Sequence, residues 1–289
     1  MRKMMLIVTL FLNGIILFYA CKKESEIETI DYDTQTTQDN SLAEGTFNDV
    51  NNIVTEAMEN GSLSTYRIGN PKHILLTSCA NVTVTPDSSG GGTIVVDFGS
   101  QYCHCTGVNC TDYRYRKGII NISFTGQYRD SGTVITTTFN NYYVGYDTTR
   151  MFKVLGTKTV TNNGHNASGN LNFSISVNGQ ILNSNQATMS WTSNRNRSWI
   201  VGENTAMNWW DDEYLINGTA SGTNFEGNSF TAVITKALHI DLSCPNITEG
   251  TFELTPTGKP TRILDYGSGL CDNAATITIN GKVFNITLR

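Results

Sequence analysis

Trp209-Trp210-Asp211-Asp212-Glu213 is where this 289-residue chain comes nearest to a reactive constellation. Two carboxylates held roughly 5–10 Å apart across a sugar can hydrolyse a glycosidic bond, and aromatic faces anchor ligand contacts. Successive residues on a strand point to opposite faces, so only Asp211 and Glu213 would converge, and no further acid is marked at a suitable place. A calcium site, or a solvated acidic shoulder on a hairpin, accounts for the cluster more simply. All four tryptophans lie between Trp191 and Trp210. Trp191, in TMSW, reads as core. Trp199, Trp209 and Trp210 stand beside Asn194-Arg195-Asn196-Arg197 and the acidic trio. With Asp211 and Glu213 they make the candidate recognition surface, for a glycan or a protein.

Other chemistry is sparse. Cys103-His104-Cys105 with Cys110 has ligand types that zinc prefers, but an internal repeat described below gives Cys103 another partner. The four histidines, His73, His104, His165 and His239, fall in no H-E-x-x-H, and there is no G-x-S-x-G, G-x-G-x-x-G or P-loop. The expectation is a chain with no catalytic residues, no metal and no cofactor, calcium being the one candidate.

Positioning begins with export. The first twenty residues, MRKMMLIVTLFLNGIILFYA, put Arg2 and Lys3 before an apolar run that ends directly at Cys21. That run is shorter than the roughly 20 residues of a bilayer span and reads as a signal peptide, 1–20. Leu17-Phe18-Tyr19-Ala20-Cys21 resembles the lipobox of bacterial lipoproteins, with Phe18 bulkier than the usual Leu. The resemblance implies cleavage before Cys21 and acylation of it, with enough acyl chains for stable attachment. Residues 21–45 are polar and acidic and read as a flexible tether. From Lys22 to Asn60 there are ten acidic and two basic residues, whereas from Gly61 onward 16 basic face 15 acidic. A near-neutral body argues against nucleic acid, which needs a basic face.

An exported chain meets an oxidising compartment, so its remaining six cysteines read as disulfides. Their pairing follows from a repeat. DFGSQYC at 97–103 and DYGSGLC at 265–271 lie 168 positions apart. Cys79-Ala80-Asn81-Val82-Thr83 precedes the first, and Cys244-Pro245-Asn246-Ile247-Thr248 precedes the second. RKGIINISF from Arg116 aligns with NGKVFNITL from Asn280, both alternating apolar and polar. Two units, about 79–124 and 244–288, predict Cys79–Cys103 and Cys244–Cys271, each worth roughly 3–4 kcal/mol on the chain-entropy model. Cys105 and Cys110 then pair with each other. Within the repeat, Asp97 and Asp265 read as turn residues bonding nearby backbone N–H groups, with a calcium or saccharide ligand as the functional alternative.

Thr46–Glu59 is the one helix candidate, 46–59, with Phe47, Val50, Ile53, Val54, Ala57 and Met58 on a single stripe, Thr46 as cap and Gly61 as stop. Beyond about residue 73 everything reads as strand. Leu171, Phe173, Ile175 and Val177 alternate with polar residues. Asn178-Gly179 and Asn280-Gly281 carry the type I′ hairpin signature. Asp130-Ser131-Gly132, Asn162-Asn163-Gly164 and Glu226-Gly227-Asn228 mark further reversals. LGTKTVTNNG from Leu155 echoes NGTASGTNFEG from Asn217, each a strand leading into a turn. The expected fold is all-β: one domain, 46–289, a large antiparallel meander forming a sandwich or rolled sheet with an internal duplication.

The lipobox, the acidic tether, WTSNRNRSWI at Trp191 and the ending RILDYGSGLCDNAATITINGKVFNITLR together resemble the uncharacterised β-rich cell-envelope lipoproteins of Bacteroidota. Asp147-Thr148-Thr149 resembles the O-glycosylation acceptor pattern of their periplasm. The resemblance implies an outer-membrane protein on a lipid anchor, facing outward, with a binding or structural role. It brings no activity with it. The reading from another class is an extracellular hydrolase acting on saccharides.

Overall fold

The computed structural model describes residues 31–61, 76, 80–104, 113–205 and 211–288. Cys21, Cys79, Cys105, Cys110, Trp209 and Trp210 lie outside the described residues. Among the described residues one helix, α1 (Gln35–Gly61), precedes the strands β1 (Asn81–Pro86), β2 (Gly92–Asp97), β3 (Cys103–His104), β4 (Tyr115–Phe124), β5 (Val134–Gly145), β6 (Phe152–His165) and β7 (Leu171–Leu182). They continue as β8 (Thr188–Val201), β9 (Glu213–Thr223), β10 (Ser229–Asp241), β11 (Ile247–Pro256), β12 (Arg262–Ser268), β13 (Ala274–Ile279) and β14 (Lys282–Thr287). All fourteen belong to a single open antiparallel sheet in chain order, with β3 set aside on β4. The fold is therefore the expected all-β meander, as one sheet rolled around the helix and not as a sandwich of two.

Period-two alternation makes these strands. On β7 Leu171, Phe173, Ile175 and Val177 are buried while Ser174 and Ser176 face out. Ile120, Ile122 and Phe124 on β4 do the same. The middle strands β5 to β10 run 11–14 residues, in the stretch where no proline removes a ladder donor.

The helix departs from expectation. It begins at Gln35, so residues 35–45, assigned above to the tether, are helical, and Asp33–Arg289 form one compact unit. Thr46 is an interior helical residue and caps nothing; Asp33 Oδ1 instead accepts the N–H of Gln35 at 3.0 Å. No side chain from Gln35 to Glu59 is exposed. The apolar stripe is buried as expected, but Thr36, Asp39, Asn40, Glu44, Asp49 and Glu56 are buried with it. Their partners come from around the sheet. Thr36 accepts from Asn224 in the β9–β10 turn (3.0 Å), and Asn40 from the Trp191 indole on β8 (2.9 Å). Ser41 meets Tyr266 on β12 (2.9 Å), and Phe47 packs edge-on to Phe139 on β5. A polar segment with no amphipathic signal is ordered because the rolled sheet supplies a polar partner for its side chains.

Asn178-Gly179 is not a turn. It lies inside β7, paired with Thr192 and Trp191. A Cβ on Gly179 would sit 2.2 Å from Phe47 Cζ, so the missing side chain makes room for the ring that stacks on Trp191 at 5.4 Å. Asn162-Asn163-Gly164 is likewise a bulge within β6, and the chain reverses after it, at 166–170. Asn280-Gly281 does make the tight β13–β14 turn, both residues with positive φ. In the 155 and 217 echo, Gly156 and Gly218 hold matching places: a Cβ on either would strike a carbonyl of a paired strand, Asn178 of β7 at 2.2 Å and Asn194 of β8 at 2.1 Å.

The duplicated units agree in their first two strands. β1 pairs with β2 as β11 pairs with β12. Asp97 Oδ1 accepts the Gly99 N–H at 2.7 Å, and Asp265 Oδ1 the Gly267 N–H at 2.8 Å. Asp97 closes a turn at the end of β2, whereas Asp265 makes the same contact inside β12, at an irregularity in its register with β11; Phe98 and Tyr266 beside them enter the core. The third strands do not correspond as the alignment suggests. β4 lies on β2, with Ile120 opposite Val96, whereas β12 is flanked by β13, with Ile277 opposite Leu264. β14, the sequence match to β4, pairs one strand further out. Cys244–Cys271 is formed (Cα–Cα 5.6 Å), and Cys103 is also disulfide-bonded.

Candidate functional site

Trp199 does not belong to a recognition surface. It stands eight residues after Trp191 on β8, an even spacing that puts both on one face, and that face is the inner one. Trp199 is 1 % exposed, packed against Tyr214 (centroids 5.4 Å) and under the Arg129 guanidinium (4.5 Å). Arg195 and Arg197 point inward with it. The even spacing was the signal that could have placed Trp199 once Trp191 was taken as core.

Asp211 and Glu213 are half-buried and engaged separately. Asp211 Oδ1 accepts the Thr205 hydroxyl at 2.8 Å. Glu213 Oε2 lies 2.9 Å from His239 Nε2, and His239 Nδ1 lies 2.8 Å from Thr248 Oγ1. This hydroxyl–imidazole–carboxylate chain has the membership of a hydrolytic triad. Thr248 is 3 % exposed and also 3.3 Å from the His239 carbonyl, so its oxygen is closed to a substrate. The three side chains tie β9, β10 and β11 together. Asp212, between the acids, faces inward and accepts from Tyr214 Oη at 3.3 Å. Among the described residues no group of three or more His, Cys, Asp or Glu side chains is disposed to hold a metal ion. Asp147-Thr148-Thr149 forms the β5–β6 turn, where Asp147 accepts from Thr149 and Arg150 and Thr148 is exposed.

The strongest electrostatics are internal. Asp49 accepts from Arg114 (2.6 Å) and Arg116 (2.8 Å), and Glu44 from Arg195 through two bonds (2.5 and 3.2 Å). Glu59 accepts from Arg129 at 3.0 Å. Burial pushes the Asp49 carboxyl up, but the two guanidinium charges and their hydrogen bonds outweigh it and hold it below the ordinary value. Lys158, bonded to Asn51, is held well below its ordinary value because burial disfavours the ammonium and Arg197 adds like charge. Acids on the helix thus meet bases from the inner strand faces (Arg116, Arg195) and from the segments flanking β4 (Arg114, Arg129).

One external feature escaped sequence reasoning. Lys117 on β4 sits opposite Tyr143 on β5, which sits opposite Lys153 on β6. Lys117 Nζ lies 4.7 Å from the ring centroids of both Tyr102 and Tyr143, and Lys153 Nζ 5.6 Å from that of Tyr143. The row floors an open cleft of about 230 Å³. Its members are spread over 51 residues of sequence, so no local spacing announces it.

Compared with family models, with curated proteins and with solved structures, the chain matches none, so no functional detail comes from a relative.

Proposed function

We propose that this chain is a lipid-anchored protein of a bacterial cell envelope, held by acyl groups on Cys21, whose β body binds a ligand or serves as scaffold and does not catalyse. The observation that carries the reading is the apolar run ending directly at Ala20-Cys21. The resemblance to β-rich envelope lipoproteins of Bacteroidota supports it and favours the outer membrane, body outward. A binding role is preferred to hydrolysis on two grounds. Trp191 and Trp199 are committed to the interior, and Glu213 and Asp211 are each held by a separate partner.

The test is Cys21→Ser in the native host, with fatty-acid labelling, membrane fractionation and antibody staining of intact cells. Wild-type protein is expected to take up label, sediment with outer membranes and stain on unbroken cells. The variant should lose the label and leave the membrane fraction. An unlabelled wild type, or a variant that stays in the membrane, would overturn the anchor. Staining only after the outer membrane is opened would overturn the outward orientation.

A further inference from the structure

We propose that the cleft over Lys117 and Lys153 binds an acidic sugar, a uronate or sulfated residue within a glycan. The assignment rests on the binding role proposed above and names its ligand class.

Its floor is a cross-strand row, Tyr102, Lys117, Tyr143 and Lys153, on the outer face at one end of the sheet. Both ammonium groups lie within 6 Å of the same Tyr143 ring. Two like charges on one ring repel each other, and among the described residues neither is paired with a carboxylate. Lys153 Nζ bonds the neutral Asn141 Oδ1, at 3.1 Å. Lys236 and Arg150, by contrast, are each paired, with Glu249 and with Asp147. Asp147, the acid nearest Lys153 in sequence, is taken up by its own turn, bonded to Thr149 Oγ1 (2.6 Å) and Arg150 Nε (2.8 Å). A concavity lined by one sign of charge concentrates counter-ions of the other, and an incoming anion would relieve the repulsion through charge-assisted hydrogen bonds.

The walls argue for a sugar as carrier of that anion. The β5–β6 turn contributes Thr148 and Thr149, and the β7–β8 turn contributes Asn183 and Gln186. These are neutral donors and acceptors suited to ring hydroxyls. The exposed Tyr102 ring, 42 % accessible, offers a face against which a pyranose can lie. About 230 Å³ falls short of the roughly 300–1,000 Å³ that encloses a drug-sized molecule. The cleft fits one acidic residue of a longer chain whose ends run out into solvent.

The test is isothermal titration of the purified full chain in detergent. The probes are a heparin oligosaccharide, oligogalacturonate, neutral dextran and poly-glutamate. Binding of at least one acidic glycan is expected, weakened severalfold as salt is raised from 50 to 300 mM. Dextran and poly-glutamate should bind at least tenfold more weakly. Lys117→Gln with Lys153→Gln should lower acidic-glycan affinity at least tenfold. Lys236→Gln with Lys282→Gln, which removes the same charge elsewhere, should leave it within twofold. Matching melting curves for the variants exclude misfolding. No acidic-glycan binding, equal binding of poly-glutamate, or equal loss in both double variants would overturn the assignment. The assay does not see the anchor, so its failure and that of the Cys21 experiment are separable.

Discussion

Arg116 and Lys117 are consecutive on β4 and carry the same charge in opposite settings. Arg116 points inward, is 1 % exposed, and bonds the helical Asp49 at 2.8 Å. Lys117 points outward between two tyrosine rings, and no acid among the described residues pairs with it. The pleat sends successive side chains to opposite faces, and the two faces solve one problem by different means. Inside, a cation has to be matched by a carboxylate in fixed geometry, because an unpaired buried charge is expensive. Outside, water and salt do the matching, and a cation left bare is free to meet a ligand. The first charge belongs to folding and the second is available for recognition.

The largest break in this comparison is Asp49→Ala, which leaves Arg114 and Arg116 facing a buried vacancy. Urea unfolding is expected to show a loss of about 3–5 kcal/mol. The same pair has a pH signature. The folded carboxyl is held below its ordinary 3.8, so its contribution is fully present above that value and is lost as pH falls through the lowered one. Wild-type stability should therefore fall steeply below about pH 4, and Asp49→Asn, already weaker at neutral pH, should fall less over that interval. A variant as stable as wild type would remove the distinction between the faces.

A smaller effect sharpens how the interior is filled. Gly179→Ala forces a methyl group toward Phe47 Cζ, 2.2 Å away, and is expected to cost about 1–3 kcal/mol. Phe47→Leu in the same chain should recover part of that loss if the conflict is steric. The smallest effect belongs to the outer face. Lys236 and Glu249 make a 2.5 Å pair, with side chains 57 % and 37 % exposed, and Lys236→Ala should leave the melting temperature unchanged within error. A clear drop there would mean that outward ion pairs do carry stability, contrary to the contrast drawn from Arg116 and Lys117.

Much of the scaffold was legible because its signals are local. Alternation on β4 and β7, the Asn280-Gly281 turn and the turn at Asp97 depend on residues a few positions apart. The Cys244–Cys271 bond followed from the internal repeat. Trp199 was legible in principle, from its even spacing to Trp191. Asn178-Gly179 misled because the dipeptide that favours a hairpin turn also leaves space, and here a helix ring takes it.

The sequence by itself thus determined an all-β meander, one helix with an apolar stripe, and a disulfide closing the second repeat, since all of these rest on periodicity or self-similarity. Only the tertiary structure decided that the helix begins at Gln35, that Glu44 and Asp49 are interior acids, and that Tyr102, Lys117, Tyr143 and Lys153 share one cleft. A polar side chain can be buried when a partner is waiting, and strand register decides which partner that is. Register joins residues far apart in the chain, where no local pattern can reach.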